Sequence, residues 1–170
     1  MWKQYLVVLG LFCSEGLYAW WLWTPGDSVD NVGYSPAQPL PFDHKIHAEH
    51  KIPCEYCHSG ARRSTVAGIP AQNTCMGCHK FVATDKDAIK FLAKRFKENK
   101  PIKWVKVHDL PDYVRFSHQV HVAANIACQD CHGKVEDMSV AVQVAPLQMG
   151  WCVDCHREKQ ADIACLTCHY

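Results

Sequence analysis

The sequence has almost no cysteine to spare. Ten of its eleven cysteines fall in one repeated spacing, and only Cys13 is left over. It has no concentrated basic tract, and 18 Lys and Arg against 17 Asp and Glu leave a formal net charge of +1. Nucleic acid is therefore excluded as a partner. No small-x-small cleavage site follows the apolar start of the chain; the best candidate, Thr24-Pro25-Gly26, has a proline at its centre. That disfavours a cleaved signal peptide, whose apolar run would also be shorter, about 7–15 residues. The length, 170 residues, allows one ordinary domain.

What is present is a motif. "CEYCHSG" opens at residue 54, and the same Cys-x-x-Cys-His recurs as "CMGCH" at 75, "CQDCH" at 128, "CVDCH" at 152 and "CLTCH" at 165. Cys-x-x-Cys-His is the attachment signature of c-type haem. The two thiols of each pair add to the two haem vinyl groups, and the adjacent histidine is then placed to ligate the iron. The ten attachment cysteines are Cys54, Cys57, Cys75, Cys78, Cys128, Cys131, Cys152, Cys155, Cys165 and Cys168. Their proximal histidines are His58, His79, His132, His156 and His169. A zinc site needs four ligands in a tetrahedral set, not a histidine after every second cysteine. A disulfide framework leaves the histidines unexplained, and a thioredoxin-like site would show one motif rather than five.

The chain has eleven histidines. Five are proximal, and six remain: His44, His47, His50, His108, His118 and His121. Five six-coordinate haems need five more axial ligands, so supply meets demand with one to spare. Residues 42–58, "FDHKIHAEHKIPCEYCH", align with 116–132, "FSHQVHVAANIACQDCH", at a constant offset. "IPAQNTCMGCHK" then resembles "APLQMGWCVDCHR" with a small shift. The pattern is two di-haem modules, 42–80 and 116–157, with a fifth haem at 165–169. Within each module, histidines at i and i+3 lie on one side of a short helix. His47 and His121 are expected to serve the first haem of their own module, and His44 and His118 to reach haems elsewhere. His108 is the expected fifth distal ligand and His50 the spare. Met149 is the alternative ligand, since a His/Met haem has a higher potential than a bis-His one.

Between the modules, Thr84 reads as an N-cap, with Asp85 and Asp87 in the first turn of a helix. Ile89, Leu92 and Phe96 form its apolar stripe, Pro101 closes it, and its charges form a solvated face. "WVKV", from residue 104, reads as a short strand. The haem faces are expected to supply most of the core, so little regular structure is needed and the apoprotein would not fold.

The first 23 residues are nearly all apolar from Tyr5 to Trp23, apart from Ser14 and Glu15. Nineteen helical residues span roughly 28 Å, close to the thickness of a bilayer core. Residues 1–23 are read as a single membrane anchor, with Trp20, Trp21 and Trp23 at the far interface. Lys3 marks the near side as cytoplasmic and sends the haem motifs to the periplasmic face of the inner membrane. Glu15 at this depth points to packing against a membrane subunit. Phe12 before Cys13 argues against lipidation. Residues 24–41 read as a linker.

The stretches "CEYCHSGARRSTVAGIPAQNTCMGCHK", "WVKVHDLPDYVRFSHQVHV" and "APLQMGWCVDCHR" resemble the pentahaem, membrane-anchored cytochrome c subunit of alternative complex III. The resemblance covers most of residues 42–169. It implies a mainly α fold with extensive loops, built of class III or c7-like di-haem modules, beside one transmembrane helix. It further implies five covalent haem c groups in an electron-transfer subunit of a quinol:acceptor oxidoreductase. Its partners would be a peripheral iron–sulfur, molybdopterin-like subunit and polytopic membrane subunits. A cytochrome c, a high-potential iron–sulfur protein or a blue-copper protein would be the indirect acceptor. The sequence given stops at Tyr170, directly after the last motif, and a fifth haem exposed towards a partner subunit is expected. Two other readings stand beside this one: a multihaem redox enzyme with one open iron, and a stand-alone membrane quinol dehydrogenase of the tetrahaem type.

Overall fold

A computed structural model describes residues 31–170; the expected anchor at 1–23 and residues 24–30 lie outside the described residues. The described residues form one unit. It is built of short helices joined by loops: α1 (His44–Glu49), α2 (Cys54–Cys57), α3 (Gln72–His79), α4 (Asp87–Lys97), α5 (His118–Ala123), α6 (Cys128–His132), α7 (Met149–Glu158) and α8 (Cys165–Cys168). A 3-10 turn covers Val135–Asp137. The only β pairing among the described residues is an isolated antiparallel bridge between Val114 and His169. No helix among the described residues is long and apolar enough to cross a membrane.

Each attachment motif starts or lies within a helix, because two cysteines three residues apart meet on one side of a single turn. The turns are short and get little help from capping. In α1, Asp43 caps the helix by accepting from the Ile46 N–H at 3.1 Å. Ahead of α6, the Asp130 carboxylate accepts the Ala127 N–H at 3.2 Å.

The apolar core is small. Among the described residues, Leu40, Ala61, Met76, Leu92 and Ala145 are the buried apolar side chains. Leu92 of α4, 2 % exposed, packs with Met76 of α3 and Leu40, with Cys75, Ala88, Ala93, Ile102 and Trp104 around them. So few buried side chains is what a core dominated by prosthetic groups requires.

Several local expectations are corrected. Helix α4 begins at Asp87, and Lys86 rather than Thr84 stands at its N-cap, without a side-chain bond. The residues before it turn on Ala83, at φ +55°, whose carbonyl takes the Lys86 N–H. The helix ends at Lys97, before Pro101 can act: Asn99 adopts φ +53°, and the Lys100 N–H returns to the Arg95 carbonyl. Leu92 and half-buried Ile89 face inward as expected, but Phe96 is 38 % exposed. The stretch from Trp104 is not a strand. The Gln38 side-chain amide pairs with both the N–H and the carbonyl of Val105, at 2.9 Å each. One side chain thereby satisfies the backbone that a strand partner would have held.

Residues 31–41 belong to the folded unit. Gly33 N–H donates to the Gln143 carbonyl and Gln143 N–H to the Tyr34 carbonyl, and the Ser35 hydroxyl donates to the Ala141 carbonyl. Gln143 itself is 1 % exposed, its side-chain amide donating to the Ala145 carbonyl at 2.9 Å.

Candidate functional site

The repeat seen in the sequence is a repeat in space. Just before α1, Phe42 stacks on His47 at 4.5 Å and meets His44 edge-on at 4.8 Å. Just before α5, Phe116 stacks on His121 at 4.7 Å and meets His118 edge-on at 4.9 Å. His47 Nδ1 donates to the Asp43 carbonyl at 2.7 Å, and His121 Nδ1 to the Ser117 carbonyl at 2.8 Å. A carbonyl only accepts, so these bonds place the proton on Nδ1. They leave Nε2 as a free lone pair and fix the ring orientation, the arrangement typical of a metal-ligating histidine.

Three of the motif histidines are set the same way. His58 Nδ1 donates to the Gly68 carbonyl at 2.6 Å, His79 Nδ1 to Val82 at 3.1 Å, and His156 Nδ1 to Asp162 at 2.7 Å. These acceptors are backbone atoms on loops after each motif. No residue type marks them, and sequence reading had no signal for them.

Three histidine pairs face each other at nearly one spacing. The ring centroids of His47 and His79 are 6.1 Å apart, those of His121 and His156 are 6.1 Å apart, and those of His118 and His132 are 6.3 Å apart. Two imidazoles on opposite sides of one metal, with bonds of roughly 2.0–2.1 Å and about 1.1 Å more to each ring centre, have centroids about 6.3 Å apart. The residues present therefore fit a covalently held haem with two axial histidines at these three motifs. At the first motif, His44 lies close enough to His58 and His47 for their charges to lower its pKa, after the larger effect of burial. Its Nδ1 is buried without a hydrogen-bond partner, an orphaned nitrogen beside the first attachment site.

This pairing corrects the expected one. His47 and His121 face the second motif of their own module, not the first, and His118 faces the first motif of its own module. The helix decides it. One turn of α5 directs His118 and His121 to two different motifs, and only packing selects which.

His108 also departs from expectation. Its ring lies 4.4 Å from that of His132, with Nε2 3.3 Å from His132 Nδ1. That is too close for two ligands on opposite sides of one iron. His108 takes the role at His132 that a loop carbonyl takes at His58, His79 and His156. Burial, followed by His108, His118 and His58, pushes the pKa of His132 down to about 4. His50 is exposed at the C-cap of α1. Met149, the first residue of α7, is 69 % exposed.

None of the ten motif cysteines is paired in a disulfide. Burial is the main cause raising the pKa of Cys57, Cys75, Cys128, Cys131 and Cys152. Neighbouring thiols add to it and show which motifs adjoin. Cys57 has Cys75 and Cys78 beside it, and Cys128 has Cys54. Cys131 has Cys152 and Cys155, and Cys152 has Cys168. Backbone bonds trace the same course. The His118 and Gln119 N–H groups donate to the Thr65 and Ser64 carbonyls at 3.1 Å, joining the loop after the first motif to α5. The Arg115 N–H donates to the Cys168 carbonyl at 2.7 Å, fastening the last motif to the segment before α5. The motifs thus run in the spatial order 75–79, 54–58, 128–132, 152–156, 165–169. At the far end Tyr113 stacks on His169 at 5.9 Å and Arg115 lies over the Tyr170 ring at 4.3 Å.

Two family models match the chain. "Cytochrome c3" covers residues 46–133, and "Cytochrome c7 and related cytochrome c" covers residues 114–170. A curated relative from Nitratidesulfovibrio vulgaris, the multiheme cytochrome c subunit of menaquinone reductase, is 27% identical over 182 residues, covering 90% of this chain and 84% of the relative.

Proposed function

This chain belongs to the cytochrome c3 family of multihaem cytochromes, and from that premise we propose that it is the pentahaem electron-transfer subunit of a membrane quinol:acceptor oxidoreductase of the alternative complex III type. The observation that carries the reading is the continuous file of five adjoining attachment motifs, three of them with facing imidazoles at the span of an axial pair. Haem, when bound, supplies one-electron redox chemistry.

The chain's own residues do the holding and orienting. The ten motif cysteines form the thioether links. His58, His79, His132, His156 and His169 are the proximal ligands, and His44, His47, His118 and His121 the distal ones. At His47, His58, His79, His118, His121 and His156 the Nδ1 bonds to backbone carbonyls lock the ring's tautomer and raise its basicity as a ligand. Histidine on both sides of the iron at four of the five motifs would favour electron relay over substrate chemistry. The segment 1–23 anchors the chain in the cytoplasmic membrane with the haem unit on the outer face, beside an iron–sulfur or molybdopterin-like subunit and polytopic membrane subunits.

The relative's printed function supports a second reading, in which the same relay feeds a quinone-reducing complex. Mass spectrometry of the complex gently extracted from native membranes, with assay of its quinol oxidation, tests both. Co-purification with polytopic membrane and iron–sulfur subunits plus quinol-dependent reduction of an acceptor is expected. Quinone reduction without quinol oxidation selects the second reading, and a chain that emerges alone refutes both.

A further inference from the structure

The charge of the chain is segregated. Residues 80–103 contain eight basic residues (Lys80, Lys86, Lys90, Lys94, Arg95, Lys97, Lys100, Lys103) and three acidic ones (Asp85, Asp87, Glu98), a balance of +5. Since the whole chain is +1, the remainder carries −4. In the sequence this stretch reads only as a solvated helix face, because its lysines are spaced out rather than run together.

Helix α4 gathers them. Lys86, Lys90, Lys94 and Lys97 fall at i, i+4, i+8 and i+11, on the side opposite buried Leu92, and all four are exposed. The opposite face of the same helix packs on Met76 and Cys75 of the second attachment motif. A helix is about 10–12 Å across with its side chains, so the lysine stripe stands one helix thickness from that motif. The motif itself is one end of the spatial file. Directly after it, Phe81 is 85 % exposed beside exposed Val82 and Lys80. The ion pairs in the region leave charge over: Lys86, Lys90 and Lys100 have acidic neighbours, while no acidic partner stands against Lys94, Lys97 or Lys103 among the ion pairs of the described residues. An apolar centre rimmed by lysines at the terminus of a redox chain has the make-up of a small, transient electron-transfer interface.

We propose that the lysine face of α4, with Phe81 and Val82, docks an acidic redox protein that exchanges electrons with the 75–79 end of the chain. This rests on the relay reading above. Attraction between the basic face and an acidic partner steers the encounter and is screened by salt. The partner's electrons thus enter or leave at the second motif, and the fifth motif is the opposite terminus.

The test is stopped-flow reduction of the full, haem-loaded chain in detergent by reduced flavodoxin, an acidic redox protein, and by photoreduced riboflavin, a neutral small reductant. Wild type is compared with the triple variant Lys94→Glu, Lys97→Glu, Lys103→Glu. With flavodoxin at low salt, the variant is expected to be about tenfold or more slower than wild type, the difference closing at high salt. With riboflavin the two should react alike. Equal flavodoxin rates for both proteins overturn the proposal, whatever else those lysines serve. Failure of riboflavin to reduce wild type would instead overturn the relay reading itself.

Discussion

His118 and His132 present their rings with planes 5° apart across a 6.3 Å gap. Removing one side of such a pair leaves the metal of that motif one ligand short. His118→Ala should therefore add one carbon monoxide binding site per chain to the fully reduced protein, counted by optical titration against wild type. His108→Leu should leave that count unchanged, because His108 meets His132 at Nδ1, on the side away from His118. It should shift the potential of one haem instead, seen by redox titration. A rise in the count would show that His108 is a ligand. Asp162 gives a pH prediction at the same scale. Its carboxylate accepts from the Thr167 hydroxyl and the Ala164 N–H, and these bonds lower its pKa from 3.8. A depressed carboxylate stabilises the fold above its ordinary pKa, and that contribution is lost as pH falls through the lowered value. Hydrogen exchange of the last motif's amides should thus rise below about pH 4 in wild type. In Asp162→Asn it should already be raised at neutral pH.

Helix α4 has two distinct faces: the inner one closes the small apolar cluster and the outer one carries the lysines. Leu92 anchors the inner face against Met76 and Leu40. Leu92→Ala should cost about 2–5 kcal/mol, read as a lowered thermal midpoint of the holoprotein, because the cavity cannot be refilled from so small a cluster. At Gly60 a Cβ would collide with the Val66 carbonyl, and the Ala67 carbonyl lies nearby. Those atoms belong to the loop whose Gly68 carbonyl orients His58. Gly60→Ala should disturb the first motif's ligand field, visible in its electron paramagnetic resonance signal, while leaving the other motifs unchanged. Helix α4 was legible as a helix because its apolar residues recur at helical spacing. The sequence sets its start too early because Thr84 follows the left-handed Ala83, inside the turn that delays the first helical residue to Asp87. Nothing in residues 82–87 announces that turn.

For the whole molecule, five buried apolar side chains among the described residues cannot hold a unit of this size together. Covalent haem must act as core, and chain produced without haem attachment should show no cooperative thermal transition by circular dichroism. The sequence alone determined the five Cys-x-x-Cys-His motifs, the repeat of 42–58 in 116–132 and the helical character of the histidine pairs. All of these are local: a thiol pair and its histidine fit within one or two turns of backbone, and a repeat is visible wherever the chain repeats itself. Tertiary structure alone decided that His47 faces His79 and His118 faces His132, that His108 lies against His132, and that the motifs run in a file beginning at 75–79. It also decided that α4 turns its lysines outward beside that end. Those outcomes depend on packing between segments far apart in the chain. The residue types at i and i+3 admit either pairing, and only the way the helices seat against one another chooses between them.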